Sequence, residues 1–287
     1  MNDAILRPLV TSRFQAEKEI MTESHADLIH TRTLRQRLKD GKPSLGCWLT
    51  ITDPLAIEAI AADCGPDWVM FDMEHAGTGW ENLKAVLLGW KGSKIPFFVR
   101  VPSHDPTFMA RVLDLGASGV VVPFVNTPEE AARIVSACRY PPVGRRGVAP
   151  RRVGRHGTQF EAYLASANDE VFVMVQIEHA TAVGNVDAIA QTPGLDAIFI
   201  GPCDLSYSLG VPLQWDHPKL NAAIETVIAA GKKCGRTLAM AVDGTPEEVV
   251  HRIRQGIQLT TIGIDWYFMR SAINQQTSKI RTLLGEL

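Results

Sequence analysis

The stretch VFVMVQIEHATAVGNVDAIAQTPGLDAIFIGPCDLS, residues 171–206, contains the unit from which the fold can be read. Val171 to Glu178 is a β-branched and apolar run, Ala180 to Gln191 changes to apolar residues at three- and four-residue spacing, and Asp196 to Gly201 is a second apolar run. Strand, helix, strand is the signature of parallel β/α construction. Both runs stop at polar residues: Gln176 and Glu178 close the first, and Asp204 follows the second.

The same alternation extends in both directions. Leu45–Ile51, Trp68–Glu74, Pro96–Val101 and Gly119–Val125 precede the stretch, and Arg236–Val242 and Thr260–Trp266 follow it, making eight runs in all. Helical spacing fills Pro54–Asp63, Trp80–Trp90, Pro106–Leu115, Pro128–Cys138, Pro218–Lys233 and Pro246–Gln255, several of them opened by a proline suited to a first helical turn. Eight strands separated by helices in about 250 residues predict an α/β chain of the (β/α)8 TIM-barrel type. An open doubly wound sheet fits less well, because no G-x-G-x-x-G follows the first run. Residues 140–157, YPPVGRRGVAPRRVGRHG, break the rhythm, and a long Gly-, Pro- and Arg-rich connection is a place where function is expected.

Composition narrows the function. With 29 basic and 31 acidic residues and a formal charge of −2, the chain carries no field that would steer it to nucleic acid or an anionic membrane. Five scattered cysteines without a C-x-x-C pair suggest reduced thiols in a cytoplasmic setting. No apolar run approaches the roughly 20 residues of a membrane span. The first residues mix charges without an apolar core, so the expected organisation is an N-terminal extension over 1–34, flexible or partly helical, and a barrel domain over 35–287.

In such a barrel the site lies where strands end, so polar residues that terminate apolar runs are the candidates. These are Asp72, Glu74 and His75, then Arg100, then Gln176 and Glu178, then Asp204 in GPCDLS. Glu178 and Asp204 end consecutive strands about 4.8 Å apart, a placement that suits an open Mg2+ or Mn2+ site; the plainer reading makes Glu178 a helix cap and Asp204 part of a turn. Arg100 either holds an anion or pairs with Asp72 or Glu74. His75 is either a general base or acid, or a histidine hydrogen-bonded to a loop. Asp114 either orients His75 or sits at its helix end. The arginines of 144–157 either bind a substrate acid group or form a surface or subunit contact. Trp48, Trp68 and Trp80 either line a pocket or belong to the core.

Taken together, FDMEH, VRVP, DLGASGVVVPFVN, RYPPVGRRGV, VQIE and GPCDLS resemble, in order and spacing, the HpcH/HpaI aldolase family of class II pyruvate aldolases, over about residues 35 to 270. The resemblance implies a (β/α)8 barrel assembled as a homo-oligomer, a hexamer or trimer, with a C-terminal helix exchanged between subunits. It implies divalent-metal-dependent cleavage of a 4-hydroxy-2-oxo acid to pyruvate and an aldehyde through an enolate, with Mg2+ or Mn2+, or Co2+ as a third choice, and no organic cofactor. Motif by motif, it implies Glu178 and Asp204 as metal ligands, Arg100 as the enolate and carboxylate contact, His75 as part of the base, and Asp114 as partner to that histidine. Gly201 and Pro202 lie along the pyruvate in this reading, Gln176 joins the substrate contacts, and Asp72 and Glu74 support the rim and tune His75. Cys203 stands where small apolar residues are common in that family, and there it either narrows the site or slightly alters metal access. The rival readings are oxaloacetate decarboxylation or macrophomate-synthase-like enolate chemistry, a citrate lyase β-like acyl-CoA lyase, and a non-catalytic barrel that binds a small acid.

Overall fold

In the computed structural model, which describes residues 30–286 apart from positions 64 and 243, eight parallel strands close into a barrel in chain order. They are β1 (Ser44–Leu49), β2 (Trp68–Asp72), β3 (Phe97–Arg100), β4 (Gly119–Val122), β5 (Phe172–Ile177), β6 (Ala197–Ile200), β7 (Thr237–Met240) and β8 (Leu259–Ile264). β8 pairs with β1 and leaves no free edge. The helices are α1 (Thr31–Lys39), α2 (Pro54–Asp63), α3 (Trp80–Gly89), α4 (Pro106–Asp114), α5 (Pro128–Cys138), α6 (Phe160–Glu170), α7 (Ala180–Gly184), α8 (Val186–Ala190), α9 (Pro202–Ser208), α10 (Pro218–Lys233), α11 (Pro246–Gln255) and α12 (Asp265–Leu284). Among the described residues no helix is long and apolar enough to cross a membrane, and no disulfide links Cys47, Cys138, Cys203 and Cys234.

The two-residue strand period divides the core in two. Trp68, Met70, Phe98, Phe172, Met174 and Phe199 fill the barrel interior, while Val69, Phe71, Val99, Val173 and Ile198 face the helices. Leu34 and Leu38, four residues apart on α1, join the interior cluster and plug the N-terminal mouth. The same parity positions the polar groups. Asp72 follows Trp68 and Met70, Arg100 follows Phe98, and Gln176 and Glu178 follow Phe172 and Met174, so all are carried to the inner side of the C-terminal rim.

Proline and capping set the helix starts. Thr127 and Glu130 form a reciprocal capping box on α5, Thr245 and Glu248 do the same on α11, and Asp105 caps α4. Three expectations change. Ala180–Gln191 is two short helices, because the chain leaves helical geometry at Asn185. The boundary expected at residue 35 falls inside α1; the extension upstream of residue 30 lies outside the described residues. The run 260–266 stops as a strand at Ile264, and α12 takes over at Asp265, whose carboxylate accepts the N–H groups of Thr50 and Ile51 and ties α12 to the end of β1.

The arginine-rich connection also changes meaning. It follows the C-terminal end of α5 and therefore lies at the N-terminal face, away from the rim. Arg152 donates to the carbonyls of Leu115 and Leu87 at the ends of α4 and α3. Arg146 is buried, donates to Asp114 at 2.6 Å and stacks 4.4 Å over the Tyr140 ring. These arginines satisfy orphaned helix-end carbonyls and a carboxylate. Arg145, Arg151, Arg155 and His156 face outward.

Candidate active site

Asp72 and Arg100 face each other across paired positions of β2 and β3. Arg100 Nε and Nη2 donate to the two Asp72 oxygens at 2.9 and 2.8 Å, and the guanidinium lies 4.3 Å over the Trp48 ring. Asp72 Oδ1 also accepts the Glu74 N–H at 3.0 Å and the His75 N–H at 3.4 Å. Burial works to raise the Asp72 carboxyl, but Arg100 and these N–H groups outweigh it and hold it below the ordinary value. The structural ion pair is thus present, and it engages Nε and Nη2 of the guanidinium.

Glu74 Oε2 is buried without a hydrogen bond, 3.2 Å from Arg100 Nε and 3.8 Å from His75 Nε2. Burial raises its pKa, with Asp72 and Asp204 adding to the effect against Arg100 and His75. The His75 side chain is largely exposed at the rim, so it reaches the cavity while its backbone is fixed by Asp72.

Glu178 is only 1% exposed. Its Oε1 accepts the Phe124 N–H at 2.7 Å, and its Oε2 accepts the Gln176 side-chain amide. Phe124 holds φ at 51°, a region that disfavours a bulky side chain, and in that conformation its N–H meets the carboxylate. Burial pushes the Glu178 carboxyl up to about 7, and the Asp204 and Glu74 charges reinforce that against the Phe124 N–H and Arg100. Gly201 makes this approach possible, since a β-carbon there would stand 2.5 Å from Glu178 Oε2 and 2.7 Å from Gln176 Nε2. Gly201 caps α9, and Pro202, Cys203 and Asp204 form its first turn beside that carboxylate.

One cavity of about 990 Å³ is lined on its inner side by Trp48, Asp72, His75, Arg100, Gln176 and the Gly201–Asp204 turn, and Glu178 lies against Gln176 and Gly201 of that lining. Among the described residues no three His, Cys, Asp or Glu side chains converge as a ready cation cage. The donor set suits a hard divalent cation that keeps positions for water and substrate: a carboxylate raised in pKa by burial, with a second carboxylate adding to the effect, is a place where positive charge relieves repulsion. Such an arrangement can polarise a carbonyl, oppose an oxyanion with a guanidinium, and move a proton at a histidine.

Asp114 is not brought to this rim within the chain. It ends α4 at the opposite face and pairs with Arg146, so it does not orient His75 from its own subunit. Trp68 is wholly buried in the core, and Trp80 stacks on Phe108 and under Arg111; of the three tryptophans singled out, Trp48 alone lines the cavity. Phe124 and Trp215 were not anticipated. Phe124 acts through its backbone, which leaves no mark in side-chain chemistry, whereas Trp215 lies in a loop past α9 that no strand-end rule reaches.

Comparison with known proteins agrees with this fold. The model of the HpcH/HpaI aldolase/citrate lyase family matches residues 44–272. A 5-keto-4-deoxy-D-glucarate aldolase of Klebsiella pneumoniae is 37% identical over 79% of this chain and 88% of its own length. A 4-hydroxy-2-oxovalerate aldolase of Rhodococcus jostii is 38% identical over 89% of this chain and 96% of its own. A crystal structure of an HpcH/HpaI aldolase/citrate lyase family protein from Burkholderia cenocepacia superposes with a TM-score of 0.82 at 36% identity, covering 88% of this chain and all of that one.

Proposed function

The chain belongs to the HpcH/HpaI aldolase/citrate lyase family and is a carbon-carbon lyase of the class II aldolase type acting on 2-keto acids; from that premise we propose that it reversibly cleaves a 4-hydroxy-2-oxo acid to pyruvate and an aldehyde. The observation that carries this reading is the buried Glu178 carboxylate, pushed up to about 7 by burial and further by the Asp204 and Glu74 charges, held by Gln176 against the Gly201–Asp204 turn, where Gln176 and that turn line one cavity with Arg100 and His75. Glu178 and Asp204 would hold a divalent cation, Mg2+ or Mn2+. When bound, that cation supplies Lewis acidity toward the 2-keto acid end of the substrate.

The chain's own residues account for the rest. His75, directly or through water, takes the proton of the 4-hydroxyl as the C3–C4 bond breaks and the aldehyde carbonyl forms. The electron pair of that bond passes through C2 to the keto oxygen, giving an enolate. Arg100 opposes the new negative charge; Asp72 fixes its Nε and Nη2, and Nη1 remains for the anion. Return of a proton to C3 releases pyruvate. Gly201 and Pro202 form the wall along the pyruvate, Gln176 holds Glu178 in place, and Cys203 narrows the entrance.

Trp266, Phe268, Met269 and Ile273 stand exposed along α12, which supports a homo-oligomer in which this helix packs on a neighbouring subunit. A cytoplasmic location fits the absence of disulfides among the described cysteines.

The test is retro-aldol turnover of 4-hydroxy-2-oxopentanoate with Mn2+ or Mg2+, with EDTA as control and oxaloacetate as second substrate. Metal-dependent release of pyruvate and acetaldehyde is expected. Metal-independent cleavage would contradict the cation's role, and turnover of oxaloacetate alone would replace aldol cleavage by decarboxylation.

A further inference from the structure

The connection between β4 and α5 holds its backbone at a cost. Phe124 keeps φ at 51°, a left-handed conformation that is unfavourable for a bulky residue. Its side chain is 43% exposed, so full burial of the ring does not offset that cost. Hydrogen bonds do. The Phe124 carbonyl accepts Asn126 Nδ2 at 3.0 Å, the Val125 N–H donates to the Gln176 carbonyl at 3.3 Å, the Asn126 N–H donates to Glu130 Oε2 at 2.7 Å, and the Asn126 carbonyl accepts Asn185 Nδ2 at 2.8 Å.

One anchor comes from a different connection. His104 Nε2 donates to the Pro123 carbonyl at 2.7 Å. That carbonyl and the Phe124 N–H belong to a single planar, trans peptide unit and point in opposite directions from it. His104 therefore holds one end of the plane while Glu178 Oε1, 2.7 Å from the Phe124 nitrogen, holds the other. A donor on the carbonyl also polarises the peptide and strengthens its N–H toward the carboxylate. His104 lies four residues past Arg100, so the segment that follows β3 carries both the guanidinium of the rim and this anchor. A histidine on a carbonyl can simply fasten a loop; the shared peptide plane is what carries its effect to Glu178.

We infer that His104 is a positioning residue for Glu178: through the Pro123–Phe124 peptide it aims the Phe124 N–H at Oε1 and fixes the orientation of the buried carboxylate. The use of that orientation rests on the proposed cation-holding role of Glu178, whereas the alignment itself stands on the hydrogen bonds alone.

Two variants of the full-length protein test it. His104→Leu fills the space without a donor, and His104→Gln places an amide N–H near the position of Nε2. In EDTA-treated protein, hydrogen exchange of the Phe124 amide, read residue by residue by mass spectrometry, is expected to quicken at least tenfold in His104→Leu and to return within twofold of the unsubstituted rate in His104→Gln. The dissociation constant for Mn2+, from the free-ion paramagnetic resonance signal, is expected to rise at least fivefold in His104→Leu and to recover in His104→Gln. Unchanged Phe124 exchange in His104→Leu overturns the inference, as does faster exchange with unchanged Mn2+ affinity. Exchange that quickens equally across all eight strands, or that His104→Gln does not restore, also overturns it by making His104 a general stabiliser; a His104→Leu chain that does not fold, with His104→Gln exchanging at least tenfold faster at Phe124, does the same. Absence of Mn2+ binding in the unsubstituted protein removes the cation reading, and the exchange comparison then decides the alignment by itself.

Discussion

The two ends of this barrel use arginine in opposite ways. At the N-terminal face Arg236 gives Nε, Nη1 and Nη2 to the carbonyls of Ala190, Leu195 and Thr192, Arg139 serves Val171, Gly194 and Asp196, and Arg152 serves Leu87 and Leu115. Those donors meet groups that the helix ends leave unpaired, and the result is a closed floor. At the C-terminal rim Arg100 is shared between Asp72 and Glu74 while Glu178 and Asp204 repel each other nearby. A satisfied charge stabilises the fold, and a charge held in an unresolved field is available to a ligand.

Substitutions should separate the two ends. The largest effect is expected at the rim: Glu178→Gln keeps the shape but removes the charge, and kcat/KM should fall at least 1,000-fold, about 4 kcal/mol of transition-state stabilisation. Thermal unfolding of the same variant should show no loss of stability at pH 8. At the floor the signs reverse. Arg146→Met leaves Asp114 without its partner, and urea unfolding should report a loss of about 3 kcal/mol, with kcat/KM of the folded protein changed less than about threefold. A large kinetic defect there would break the division between floor and rim.

Arg100→Lys is next, at roughly 100-fold in kcat/KM or about 2.7 kcal/mol, because an ammonium cannot hold Asp72 with two prongs and still face an anion. Wild-type rates would make Arg100 purely structural. The smallest effect is a pH dependence. The Glu178 pKa is raised from the ordinary 4.5 to about 7, so its contribution to the stability of EDTA-treated protein is fully present below pH 4.5 and lost as pH rises through 7. The difference in unfolding free energy between Glu178→Gln and the unsubstituted protein should therefore move in the variant's favour from pH 5 to pH 8, and a flat difference would show that Glu178 is not held in its protonated form.

How much of this was legible in the sequence depends on which signals are local. All eight apolar runs are strands because parallel strands buried on both faces have to be apolar. Their polar ends are rim residues because period-two parity carries Asp72, Arg100, Gln176 and Glu178 to the inner side. Asp114 and the arginine-rich connection misled for one reason: residue type and spacing do not say which end of the barrel a segment occupies, and both lie where helices finish. The Phe124 N–H could not be read at all, since a backbone donor placed by an unusual φ depends on the folded path of the chain.

The central proposal is that Glu178 and Asp204 at the rim hold a divalent cation. Titration of EDTA-treated protein with Mn2+, followed by the loss of the free-ion paramagnetic resonance signal, measures this without reference to any substrate. One Mn2+ per chain is expected for the unsubstituted protein and for Arg146→Met, with binding lost in Glu178→Gln and in Asp204→Asn. Undiminished stoichiometric binding in both rim variants would contradict the account.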